Sequence, residues 1–82
     1  MEEKRIAVVA IVVDDPEVSA EVNKVLHDYN GIIIGRMGIP YRERGISVIS
    51  VAVDALPDKI SSLTGRLGRI SGVSVKAAIS KK

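Results

Sequence analysis

Hydrophobic and polar positions along this 82-residue chain run through one pattern twice. Ile6-Ala-Val-Val-Ala-Ile-Val-Val13 is an unbroken apolar run of eight residues that stops at Asp14-Asp15. Ile46-Ser-Val-Ile-Ser-Val-Ala-Val53 matches it at an offset of 40 and stops at Asp54. A proline follows each run, Pro16 or Pro57, and then apolar residues at helical spacing. Val18, Val22, Val25, Leu26 and Tyr29 fall on one helical face in the first round; Ile60, Leu63, Leu67 and Ile70 do so in the second. Gly31 and Gly72 come next, each opening a further strand-like stretch. Each half therefore reads strand, helix, strand.

The helix limits rest on local chemistry. Asp15 is placed to cap the first helix, with Pro16 at the position where a missing N–H costs nothing. Asn30-Gly31 predicts a left-handed stop. Pro57 opens the second helix and Gly72 closes it.

Two βαβ units joined by the short Gly38–Gly45 connection predict a single α+β domain over 1–82 with the ferredoxin-like order βαββαβ. Right-handed crossovers put strands 1 and 3 side by side, giving a four-stranded antiparallel sheet of order 4-1-3-2 with both helices on one face. Strand 1 is apolar on both faces, as a central strand should be. Strand 4 alternates, with Val73, Val75, Ala77 and Ile79 inward and Ser74, Lys76, Ala78 and Ser80 outward, as a half-covered edge should.

That arrangement leaves the second face of the sheet to water, although apolar residues of strands 1 and 3 must populate both faces. Strand 2, placed at Ile32–Ile39, adds a hydrophobic edge guarded by Arg36 alone. Open apolar surfaces of this kind are rare on monomers. A homo-oligomer, dimer or tetramer, is the expectation, through the bare face or by extension of the sheet along an edge.

Composition narrows the chemistry. The chain has no cysteine, which removes disulfides, thiolate nucleophiles and cysteine-based metal centres. A single histidine, His27, leaves no multi-histidine metal site within one copy, and no cofactor is expected. His27 reads either as a surface residue or as a ligand shared across an interface. The core is rich in Val, Ile and Ala, with no Phe or Trp. The net charge is +2, mixed along the chain, and argues against nucleic-acid binding by this chain alone. The longest apolar run is far short of the roughly 20 residues of a membrane span. Glu2-Glu3 and the Asp pair speak against a signal peptide, so a soluble cytoplasmic protein is expected.

No catalytic constellation is visible. Asp14 and Asp15 could form a carboxylate pair, but capping explains both. The richest segment is Arg36-Met-Gly-Ile-Pro-Tyr-Arg-Glu-Arg-Gly45, where Arg36, Tyr41, Arg42 and Arg44 form either an anion or partner site or a solvated hairpin. Gly65 and Gly68 sit inside the second helix, where each costs about 1 kcal/mol relative to alanine. They imply close approach of another backbone, or a ligand lying against that helix.

Ile33-Ile-Gly-Arg-Met-Gly-Ile-Pro-Tyr41, Arg44-Gly-Ile-Ser-Val-Ile-Ser50 and Leu63-Thr-Gly-Arg-Leu-Gly68 together resemble a small bacterial family of iron-only hydrogenase system regulators, found mainly in anaerobes. The resemblance spans essentially the whole chain. It implies an ACT-like domain, near the C-terminal sensing domain of the nickel-responsive repressor, and a regulatory role linked to iron-only hydrogenase and its maturation genes. The repressor's histidine and cysteine nickel ligands have no counterpart, since strand 3 offers Ser47, Ile49 and Val51. Its ribbon-helix-helix DNA-binding segment has none either. The loop Asp14-Asp15-Pro16 also lacks the glycine usual in amino-acid-binding ACT domains.

The expected function is thus a small regulatory oligomer that senses a small ligand or binds a protein. The alternatives are a small ferredoxin-like enzyme and an oligomer that binds nucleic acid directly through its arginine hairpins.

Overall fold

The computed structural model describes residues 3–81. The described residues form four strands, β1 (Arg5–Val13), β2 (Ile33–Tyr41), β3 (Ile46–Ala55) and β4 (Val73–Ile79), and two α-helices, α1 (Ser19–Asp28) between β1 and β2 and α2 (Pro57–Gly68) between β3 and β4. The strands form one antiparallel sheet in the order β2-β3-β1-β4, which is the expected 4-1-3-2 read from its other edge. The element order is βαββαβ, the ferredoxin-like arrangement.

Register assigns every strand residue to a face. Val9 lies opposite Val51 and Ala77, and Ile11 opposite Ile49 and Val75. Ala7, Val9, Ile11 and Val13 of β1 therefore share a face with Ile49, Val51, Val53 and Ala55 of β3. Both helices cover that face. Val22, Val25 and Leu26 come down from α1, and Ile60, Leu63 and Leu67 from α2, to close one buried cluster. Val18, Tyr29, Val73 and Val75 pack around its rim. The predicted helical stripes are the surfaces that bury, each full side chain contributing roughly 1.5–3 kcal/mol of apolar transfer.

Three local details differ from the sequence reading. Pro16 starts a 3-10 turn, Pro16–Val18, before the α-helix begins at Ser19; Asp15 still caps, its Oδ1 accepting from the Glu17 N–H at 2.9 Å. Asn30-Gly31 is not a left-handed stop. Those residues continue into a 3-10 turn, Asn30–Ile32, with the Ile32 N–H donating to the Tyr29 carbonyl at 3.0 Å. Among the described residues, positive φ is confined to Gly45 (+64°) and Gly72 (+80°). Finally, β2 runs past Ile39 to Tyr41 and includes Pro40. An edge strand tolerates proline because one side of its backbone has no strand to bond.

Gly72 also ties the two halves together. Its carbonyl accepts from the Asp14 N–H at 2.7 Å, joining the loop after α2 to the loop after β1. Among the described residues, no helix is long and apolar enough to cross a membrane.

Candidate functional site

The face of the sheet away from the helices carries Ile6, Val8, Ala10 and Val12 of β1, Ile46, Val48 and Ala52 of β3, and Met37, Ile39 and Tyr41 of β2, by the same register. None of the described residues covers it. Alternation along β1 is sharp: Ala7 and Val9 are 1% and 0% exposed, while Ile6 and Val8 between and beside them are each 44% exposed. Six of the nine large apolar residues exposed in the described chain, Ile6, Val8, Met37, Ile39, Tyr41 and Val48, lie on this one face. Among its strand residues only Asp54 and Lys76 are charged. Ile34, at the irregularity between Ile33 and Gly35, is exposed beside it on the β2 edge.

The arginine-bearing segment does not converge on one point. Arg36 pairs with Val51 and belongs to the helix side of the sheet, whereas Tyr41 pairs with Ile46 and belongs to the open side. The Tyr41 hydroxyl donates to Glu43 Oε2 at 3.4 Å. Arg42 and Arg44 occupy the 3-10 turn between β2 and β3, which Gly45 closes. Arg36 instead turns to α1, where its Nη2 donates to Asn23 Oδ1 at 2.9 Å. Together with Ser19, Gly38, Ser47 and Ile49 these two residues line a groove of about 240 Å3 between α1 and β2. Asn23, Ser19 and Ser47 carried no sequence signal, because only the docking of α1 over the β2–β3 hairpin brings them beside Arg36.

Gly65 and Gly68 face open space, since a Cβ added to either meets nothing within 4 Å. Among the described residues, no backbone outside their own helix approaches them.

A second polar cluster joins the helices. Asp28 of α1 accepts a hydrogen bond from Arg66 of α2, with Oδ2 and Nη2 3.0 Å apart, and forms an ion pair with Lys24 one turn earlier at 3.6 Å. The Arg66 guanidinium also lies 5.4 Å from the centre of the Tyr29 ring, and the Tyr29 hydroxyl is hydrogen-bonded to Ser62 Oγ. The hydrogen bond from Arg66 holds the Asp28 carboxyl below the usual aspartate value, helped by Lys24. Ser62 lowers the Tyr29 hydroxyl in the same way, with Arg66 adding to it. Asp28 in turn raises Arg66. Each member has its partner, so the cluster reads as a clamp between helix surfaces. His27 is exposed on α1.

The fold occurs in solved structures of several kinds. The C-terminal domain of the MgtC protein from Mycobacterium tuberculosis matches with a TM-score of 0.76 at 15% identity, over 99% of this chain and 93% of that one. A formyltetrahydrofolate deformylase from Pseudomonas putida KT2440 matches with a TM-score of 0.64 at 13% identity, over 89% of this chain but 28% of the enzyme. At such identities these two show the fold alone. TM1266, an uncharacterized protein from Thermotoga maritima, is far more similar: 39% identity and a TM-score of 0.92, over 96% of this chain and 100% of that one. No curated protein matches the chain. The model of the TM1266-like family, described as "Iron-only hydrogenase system regulator, putative", matches residues 5–77. With nearly all of its length covered by that model, this chain belongs to the TM1266-like family.

Proposed function

We propose that this chain is a cytoplasmic regulator of the iron-only hydrogenase system that acts by binding, not by catalysis, and works as an assembly in which a second copy covers the open sheet face. The observation that carries the reading is that face. Six large apolar side chains are exposed together on it, where a monomer would leave them to water.

A second copy fits for reasons of size and charge. Four strands spaced about 4.8 Å apart, with seven to ten residues at about 3.3 Å each, make a face of roughly 500 Å2 in plan. A standard interface buries about 800 Å2 of accessible surface per partner, the same order. A two-fold interface sets one patch against itself, so a patch crowded with like charges would repel its copy. This one offers a single Lys76 and a single Asp54 among its strand residues, and brings no such conflict. Family membership supports the regulatory role. The separation of Arg36 from Tyr41 speaks for two binding surfaces in place of one converging site.

The functional test replaces the chain in a host that carries iron-only hydrogenase. Val8→Glu with Val48→Glu puts charges into the face without touching the core. If regulation needs assembly, hydrogenase transcript and hydrogen output move to the values of a strain lacking the gene. Values equal to wild type, with the variant folded by circular dichroism and present at normal level, would reject the reading.

A further inference from the structure

On the helix side of the sheet, Arg36, Gly38 and Pro40 of β2 stand opposite Val51, Ile49 and Ser47 of β3. The groove of about 240 Å3 lies over them, walled by Ser19 and Asn23 of α1. Gly38 is what keeps it open. The position takes no positive φ and a Cβ there meets nothing within 4 Å, so the backbone does not require glycine. A strand would ordinarily gain from a β-branched residue at such a place.

The electrostatics of the groove are one-sided. Among the described residues the ion pairs are Lys24 and Arg66 with Asp28, so Arg36 has only the neutral Asn23 oxygen against it. No acidic residue lines the groove. What remains is a guanidinium steadied by one hydrogen bond, the hydroxyls of Ser19 and Ser47, the Asn23 amide, and apolar surface from Ile39, Pro40 and Ile49. A guanidinium fork pairs with a planar carboxylate through two parallel hydrogen bonds.

We infer that this groove binds a small aliphatic monocarboxylate, its carboxylate on Arg36 and its tail over Gly38 against Ile49. A single cation in the lining matches one negative charge, where a phosphate would bring up to two. The absence of a lining acid leaves an α-ammonium group without a partner, which disfavours amino acids. The site lies on the opposite side of the sheet from the face assigned to assembly. It goes beyond the proposed function, and the two can fail separately.

The test is a titration of the full chain with isovalerate at neutral pH, read by amide and arginine side-chain NMR. Saturable shifts are expected at Asn23, Gly38, Ser47 and the Arg36 Nε–H. Arg36→Gln removes the charge and should weaken binding by about tenfold or more. Gly38→Val keeps Arg36 but fills the groove, and should weaken it comparably. Valine and inorganic phosphate should bind at least about tenfold more weakly than isovalerate. Shifts that are absent or scattered, or a folded Arg36→Gln variant that titrates like wild type, overturn the site. Phosphate or valine binding as tightly as isovalerate overturns the ligand class.

Discussion

At Gly72 the backbone has a φ of +80°, and a Cβ added there would lie 3.3 Å from the Cβ of Asp15. Conformation and space both demand glycine at this one position. Gly72→Ala should cost roughly 1–2 kcal/mol in urea unfolding. It should also loosen the Asp14 N–H bond to the Gly72 carbonyl, seen as faster amide exchange at Asp14. Gly65 is the opposite case, helical and facing open space. Gly65→Ala should raise stability by roughly 1 kcal/mol, as a helix-interior exchange does. A loss of stability would mean that another chain packs on α2 in solution. The sequence marked Gly65 as unusual inside a helix and Gly72 as a helix stop, but it could not show that only Gly72 is required, because that distinction lies in φ and in what stands nearby. The same limit held for Asn30-Gly31, whose composition suits a left-handed stop while its backbone takes a 3-10 turn.

Among the elements, β1 was the most legible. A run apolar on both faces has its place in the middle of a sheet, and β1 pairs with β3 on one side and β4 on the other. The helical stripes were equally clear, since Val22, Leu26, Leu63 and Leu67 recur at the spacing that buries one face. β2 was harder. The sequence reading placed it at Ile32–Ile39, but an edge position accommodates Pro40, and the strand continues to Tyr41. That continuation separates Arg36 from Tyr41, because an odd number of steps along a strand changes face. The clamp between α1 and α2 was not legible at all, since Asp28, Tyr29, Ser62 and Arg66 meet only when the helices dock. Its pH behaviour follows from Asp28. The folded carboxyl lies below its ordinary value of 3.8, so its contribution is present above about pH 3.8 and is lost as pH falls through the lower, folded value. Asp28→Asn should lower the urea midpoint slightly at neutral pH and match the wild type once the carboxyl is protonated, so that the acid limb of a midpoint-against-pH curve is flatter. An identical acid limb in the variant would assign acid sensitivity to other carboxylates.

At the scale of the whole molecule, the two βαβ units build a sheet whose helix side closes a core and whose other side closes nothing. The topology followed from the strand patterns, because a two-faced central strand and a one-faced edge admit few orders. Which apolar residues fall on the open side did not, since that depends on register. In the structure Val9, Ile11, Val13, Ile49 and Val51 go to the core, and Ile6, Val8 and Val48 stay outside. The chain thus carries a second set of apolar side chains that its own fold leaves unburied, which is the physical basis for expecting a second copy. Light scattering coupled to size exclusion, over a range of micromolar concentrations, tests this most directly. The predicted mass is at least twice the 8.8 kDa of one chain, falling to 8.8 kDa when Val8→Glu and Val48→Glu are introduced. A wild-type mass of 8.8 kDa at every concentration would contradict it.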